Sequence, residues 1–347
     1  MTDYNVWSRF LHRLALGLTS VSEATFDLER NALAQKLPDA LAGEHVFVAG
    51  LARSGTTMLM RALYETNLFC SLTYRDMPFV LAPNTWSSLA QPGKQQKSEA
   101  ERAHGDGVLV DFDSPEALEE VFWRVFCADR YIHPDRLTAM RVDADTRSRF
   151  ATYIAMILHR YKCGRYLSKN NNNILRLQDI LTTFAKATVL VPFRRPEQQA
   201  LSLLRQHRRF REIHARDTFT QSYMRWLVHH EFGLDHRPFA WGLEQSGGLR
   251  PDTLDYWLAQ WLGVYGHLST LLDAHATRAI PVGYETLCEH TAGVWQSLSG
   301  VLRLGDAPVP ALALRAEAID EPHDAQLLAR CMDVYNALDE QCAARLL

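Results

Sequence analysis

The stretch HVFVAGLARSGTTML, from His45 to Leu59, constrains the fold of this chain more than any other. His45–Ala49 is apolar enough for a buried strand. Gly50 and Gly55 then frame a turn with four residues between them. Beyond it Leu59, Ala62 and Leu63 recur at helical spacing, which predicts a helix that starts near Thr56 and buries that face. A strand, a glycine-framed turn and a helix in this order make a loop whose backbone N–H groups surround a phosphate. The first turn of the helix has N–H groups without intrahelical partners and aims the positive end of its dipole at the loop. Ser54, Thr56 and Thr57 add hydroxyls and Arg53 adds a charged fork, so the stretch reads as an anion site. An ordinary turn with a threonine cap accounts for the glycine spacing alone; the whole string from Arg53 to Thr57 behind a strand favours the anion. Thr56 and Thr57 stand where a nucleotide triphosphatase loop places Lys and then Ser or Thr.

A second apolar run, Thr188–Phe193, predicts another buried strand, and it ends in Arg194, Arg195 and Pro196. Ser202 follows Arg194 by eight positions, on a helix predicted to begin at Glu197. With these two motifs the chain resembles the sulfotransferase family, whose donor is 3′-phosphoadenylyl sulfate (PAPS). In that family a loop of this kind binds the 5′-phosphosulfate. A downstream strand ends in R-x-P, and a serine eight residues past its arginine holds the 3′-phosphate. Two shorter fragments resemble the family as well: Tyr166–Asn170, a short strand with a lysine at its end, and Val282–Leu287 ahead of the last helices. The resemblance touches most of residues 44–305 and is closer to bacterial and tyrosylprotein-type members than to cytosolic ones. It implies a P-loop-like fold, with Arg53, Ser54, Gly55, Thr56 and Thr57 at the 5′ side. Arg194 and Ser202 fall at the 3′-phosphate, Tyr284 falls near the nucleotide, and the product is adenosine 3′,5′-bisphosphate.

Composition sets limits. With 347 residues and 47% hydrophobic content, the chain can bury a large core, as one big α/β domain or two smaller ones. A net charge of −3 argues against a general nucleic-acid binder. No apolar run is long enough to span a bilayer, and the N-terminus lacks the basic-then-apolar layout of a signal peptide. Six widely spaced cysteines read as reduced thiols, so a cytoplasmic location is expected. Among fourteen histidines there is no H-E-x-x-H or similar spacing, and neighbours such as His229 and His230 would face different sides of a helix; no metal is expected.

Alternating strands and helices predict an α/β fold with a mainly parallel central sheet flanked by helices. Residues 1–40 read as an N-terminal helical extension, with helices at Trp7–Leu18 and Glu23–Gln35 and a capping box of Ser20 and Glu23. Its amphipathic helices suit a homodimer. Residues 41–347 read as the α/β domain. Further helices are predicted at Pro115–Phe126, Arg147–Lys162, Ile174–Ala187, Glu197–Arg209, Thr218–Glu231, Leu254–Ala274, Val294–Leu302 and His323–Ala344. The pattern breaks down from Ser71 to Gly107, and insertions at about 77–115 and 205–250 are expected to form a lid and shape the acceptor pocket.

Sulfuryl transfer sets three tasks: holding the nucleotide and its leaving phosphate, following the charge on the sulfuryl oxygens, and taking the acceptor proton. For the second task, Lys169 ends the predicted strand Arg165–Ser168, at the sheet edge where ligands collect. The resemblance implies contact with the bridging oxygen or the sulfuryl group. The Asn170–Asn173 run beside it is a bare turn or a source of amide donors. For the base, many cytosolic members use His, while tyrosylprotein and some bacterial members use Glu shortly after the first helix. The matching stretch here, Ser71–Phe79, has no Glu. Asp76 is nearest and is the first candidate, its alternative being a salt bridge or turn with Arg75. Glu116 is second, although Ser114 as a cap and Pro115 at the first helical position explain that string, with Glu119 and Glu120, structurally. His104, in a glycine-flanked loop, is third. A carboxylate base needs burial or a like charge to raise its pKa.

Arg205, His207, Arg208, Arg209, Arg211 and Arg216 spread around one helix, as a solvated basic face or a contact for an anionic acceptor. Trp123, Trp226, Trp257 and Trp261 read as core, any one of them able to stack on adenine or an acceptor ring. The expected activity is therefore sulfuryl transfer from PAPS to a hydroxyl or amine by in-line displacement. A P-loop kinase shares the fold, but the missing lysine and the lack of a strand-closing Asp for magnesium count against it. A nucleotide-binding protein without a base is the third reading. A small molecule, lipid, carbohydrate or peptide can each be the acceptor.

Overall fold

The computed structural model describes residues 6–89, 100–101, 109–110 and 118–347; His104, Glu116 and the polar run Gln91–Ser98 lie outside the described residues. In chain order, helices α1 (Val6–Gly17) and α2 (Thr19–Leu33) precede strand β1 (Val46–Val48), with α3 (Thr56–Tyr64) and α4 (Pro83–Leu89) after it. A two-residue antiparallel pair, β2 (Ala100–Glu101) and β3 (Leu109–Val110), comes before α5 (Glu120–Tyr131) and α6 (Ala144–Tyr161). Then follow β4 (Leu167–Lys169), α7 (Leu177–Thr183), β5 (Thr188–Phe193), α8 (Pro196–Arg216) and α9 (Thr218–Trp226). The chain ends with α10 (Ala240–Ser246), α11 (Leu254–Ala274), β6 (Ala279–Gly283), α12 (Tyr284–Glu289), α13 (Thr291–Leu302) and α14 (Ala325–Leu346).

Four strands pair in the order β4-β1-β5-β6, all parallel, so the expected α/β class with a parallel sheet is the one adopted. Every residue of these strands except Thr188 is buried, as a parallel sheet covered by helices requires. From β1 the chain goes to β4 on one side and then to β5 on the other. The carboxyl ends of β1 and β5 thus flank a topological switch point, the place where open α/β sheets bind ligands. The register sets Val48 beside both Lys169 and Leu190, so the ends of β1 and β4 lie abreast while β5 runs three residues further, to Phe193.

An aromatic cluster anchors the helices: Phe122 stacks on Tyr153 at 5.4 Å, and Trp123 meets Phe150 at 4.4 Å. Fully buried Phe26 packs on Phe122, so α2 shares this core. Buried Glu29, also on α2, takes the Asn84 and Thr85 N–H groups at 3.2 and 2.7 Å and so caps α4.

Several boundaries differ from the sequence expectation. The chain enters α2 at Thr19 with Leu18 in the cap position, so Ser20 and Glu23 form no capping box; the Ser22 hydroxyl instead donates to Ala15 O at 2.6 Å. The helix expected at Ile174–Ala187 is a tight turn, Asn171–Leu175, followed by α7. Two residues after α9, Val228 adopts a left-handed φ of +56°, and the helix stops at Trp226 instead of Glu231. Among the described residues no helix is long and apolar enough to cross a membrane.

Candidate active site

Two close approaches explain the glycines of the first loop. A Cβ on Gly50 would stand 2.7 Å from the carbonyl of Pro192 on β5. Gly55, the N-cap residue of α3, has φ +92°, and a Cβ there would stand 2.9 Å from the Tyr284 ring. Arg53, at φ +70°, donates from Nε to the Ser202 hydroxyl at 2.9 Å. Ser54 is buried and donates to Leu51 O at 2.8 Å, closing the loop from within. Buried Thr56 and half-buried Thr57 open α3, whose first N–H groups have no partner inside the helix.

At the end of β5, Arg194 is 8% exposed and lies over the Tyr284 ring, 4.8 Å from its centroid. Burial pulls the pKa of this guanidinium below its ordinary value; Tyr284 and Glu285 oppose the shift and Arg53 adds to it. Arg194 and Tyr284 therefore join Gly55, Arg53 and Ser202 in one contiguous set. Arg195 turns away, pairs with Glu197 at 2.7 Å and is half exposed. On its side opens a cavity of about 600 Å³ lined by Glu197, Glu285, His290, Tyr335 and Asp339; none of the residues expected at the nucleotide lines it.

The loop is held from behind by residues that sequence reasoning missed. Fully buried Gln199 on α8 donates to Ala52 O at 3.0 Å and accepts from Trp261 Nε1 at 3.0 Å. Tyr265 donates to Pro192 O at 2.8 Å. A polar side chain on an apolar helix face was the only available signal.

Residues 304–324 have no helix or strand and cross this set. The Arg315 carbonyl accepts from Arg194, and the Arg315 N–H donates to the Tyr284 hydroxyl at 2.9 Å. Glu317 exchanges two hydrogen bonds with Gln198, at 2.8 and 2.9 Å. Arg205 pairs with Glu317 and Asp320, and Arg208 with Glu321. The basic face expected on α8 is thus partly neutralised by this strap.

At the end of β4, Lys169 is buried. The asparagine run beyond it is spent largely inside. Asn170 donates to Glu120 at 2.6 Å, Asn173 to Glu119 at 2.7 Å, and Arg176 to Glu120 at 2.9 Å. Glu119 and Glu120, both buried, anchor the turn after β4 and give α5 no side-chain cap. Asn171 differs: it donates to Glu231 at 2.9 Å.

Asp76 lies along the other flank of β4, where Cys70 bridges Tyr166 in parallel. It is 1% exposed, and its Oδ2 accepts the Thr73 N–H at 2.9 Å and the Tyr161 hydroxyl at 2.5 Å, closing a capping box. Burial raises its pKa, against those two bonds and Arg160, 4.0 Å away. Among the described residues no group of three or more His, Cys, Asp or Glu gathers to hold a metal.

A profile described as the sulfotransferase family matches residues 45–238, more than half of the chain. No curated protein matches it. Among solved structures it is similar to sulfotransferase STF1 from Mycobacterium tuberculosis H37Rv, at 11% identity over 98% of this chain and 87% of that one, with a TM-score of 0.49. Sulfotransferase STF9 from Mycobacterium avium matches at 12% identity over 96% and 78%, TM-score 0.48. A sulfotransferase from Alicyclobacillus acidocaldarius matches at 13% over 87% and 95%, TM-score 0.41. The family match takes in the glycine loop, Lys169, Arg194 and Ser202, and on its extent the chain belongs to the sulfotransferase family.

Proposed function

We propose that this chain moves a sulfuryl group from PAPS to a hydroxyl or amine of its acceptor by in-line displacement. The observation that carries the reading is the 2.9 Å bond from Arg53 to Ser202, which ties together two motifs 149 residues apart. In this reading Arg53 and the first-turn N–H groups of α3 take the 5′-phosphosulfate. Arg194 and Ser202 take the 3′-phosphate, and the Tyr284 ring supports Arg194. Binding exchanges the neutral carbonyl of Arg315 for phosphate oxygens, which a guanidinium holds more strongly. Lys169 at the end of β4 stabilises the sulfuryl group and the departing oxygen.

A carboxylate 1% exposed, with one oxygen already in two hydrogen bonds, suits holding a turn. Asp76 is accordingly assigned to the turn after Thr73, and the proton falls to another group. Titration calorimetry with adenosine 3′,5′-bisphosphate in magnesium-free buffer tests the reading. Binding that weakens about tenfold or more in Arg194→Ala supports it, since a hydrogen bond to a charged group is worth about 1.5–3 kcal/mol. No heat at millimolar bisphosphate overturns it, and magnesium-dependent ATP binding in its place would favour a kinase.

A further inference from the structure

We propose that His229, held by Glu231, takes the proton from the acceptor; the inference rests on the sulfotransferase reading above. Three observations bear on this pair, which packs beside the turn that follows Lys169. Asn171, two residues past Lys169, donates to Glu231 Oε1 at 2.9 Å. Glu231 Oε2 lies 3.4 Å from His229 Nδ1 and has no hydrogen-bond partner among the described residues. Val228, just before the histidine, is a β-branched residue at φ +56°, and its carbonyl accepts from Asn172 at 3.4 Å. Strain of that kind costs on the order of 1–3 kcal/mol and clusters at functional sites.

The chemistry follows from the pairing. Burial opposes charge on Glu231, yet His229 and Asn171 hold its pKa below the usual carboxylate range. An ionised carboxylate facing Nδ1 selects the Nδ1–H tautomer, which leaves the Nε2 lone pair to accept a proton. The acceptor oxygen then attacks sulfur and a new O–S bond forms as the S–O bond to the phosphate breaks. The phosphate oxygen keeps the electron pair, beside Lys169. The acceptor proton passes to Nε2, and the imidazolium charge faces Glu231. The titratable and charged groups packed nearby are His230, His236 and Arg237 on the same loop, His207 on α8 and Tyr256 on α11. Burial pushes His230 and His236 down to about 4 and His207 to about 3, and raises Tyr256 well above the ordinary phenol range, so none of these changes charge between about pH 6 and 8. His229 is 18% exposed, against 1% for Asp76, so it has the access to an acceptor that Asp76 lacks.

The test uses labelled PAPS with water as the acceptor and follows sulfate release across pH 6–8.5, alongside calorimetry with adenosine 3′,5′-bisphosphate. His229→Ala should lose about 10²–10⁴-fold in rate, keep nucleotide affinity, and regain rate with added imidazole. Glu231→Gln, which preserves shape, should keep affinity while lowering the rate and moving the pH profile. A His229→Ala rate within about threefold of wild type overturns the inference, as does a loss that imidazole does not restore. So does a wild type that binds nucleotide but releases no sulfate, or an Asp76→Asn variant with the larger loss at intact affinity. A wild type that binds no nucleotide removes the underlying reading instead, so the two failures are told apart.

Discussion

Alanine at Gly55 probes the loop at its tightest point. The backbone there sits at φ +92° and ψ 7°, a left-handed conformation costing an L-residue roughly 1–2 kcal/mol. The new Cβ would also stand 2.9 Å from the Tyr284 ring, which has little room to retreat. Arg194 covers its face at 4.8 Å, and the Arg315 N–H holds its hydroxyl at 2.9 Å. Displacing the ring weakens a cation–π contact of about 0.5–1 kcal/mol and a hydrogen bond of about 0.5–1.5 kcal/mol. The predicted destabilisation is about 2–4.5 kcal/mol, the sum of these terms. Gly266 within α11 is the internal control: its φ is not positive and a Cβ there meets nothing within 4 Å. Alanine at Gly266 should stabilise by about 0.5–1 kcal/mol through helix entropy. Urea unfolding followed by circular dichroism reads both variants as midpoint shifts at unchanged slope. Opposite signs are expected, and a Gly55→Ala variant within about 0.5 kcal/mol of wild type refutes the strained-loop reasoning.

Buried histidines make the fold sensitive to acid. Burial lowers the pKa of His45 and His230 to about 4 and of His207 to about 3, so between pH 6.5 and 4 the unfolded chain binds protons that the folded one refuses. Their contribution to stability is complete above about pH 6.5 and is lost as pH falls, at up to about 4 kcal/mol per pH unit for three protons. Urea unfolding at about pH 7.5, 6 and 5 checks this, and equal midpoints would contradict it. Separately, Glu120→Ala leaves the Arg176 guanidinium, fully buried over Trp123, without its 2.9 Å partner. The expected loss is about 3–5 kcal/mol by the same unfolding assay, and a loss below about 1 kcal/mol would show that the guanidinium finds water or another partner.

Sequence reasoning worked where the constraint is local. Gly50 and Gly55 are required by one neighbouring carbonyl and one left-handed φ, and both leave a mark in the sequence. β5 was legible because five of its six residues are buried and an Arg-Arg-Pro end follows. What escaped depends on distant partners. The asparagine run answers to Glu119 and Glu120, some fifty residues earlier, so nothing beside it tells that its amides point inward. A base expected from its place after the first helix, Asp76, says nothing of its own burial, which Tyr161 on α6 helps to set. His229 was hidden by an apparent helix, because Val228 turns the chain left-handed without a glycine to announce it. The strap has no periodicity at all, although its Arg315 carbonyl occupies Arg194.

Whether two strand ends share one nucleotide is tested most directly by the ratio of affinities for adenosine 5′-monophosphate and adenosine 3′,5′-bisphosphate. The ligands differ only in the 3′-phosphate, so the ratio isolates contacts made at the end of β5. Two charge-assisted bonds of about 1.5–3 kcal/mol each predict that wild type prefers the bisphosphate by at least about 100-fold. Arg194→Ala should shrink that preference about tenfold or more while leaving monophosphate affinity in place. Equal affinities in wild type, or a preference that survives Arg194→Ala unchanged, would contradict the shared site.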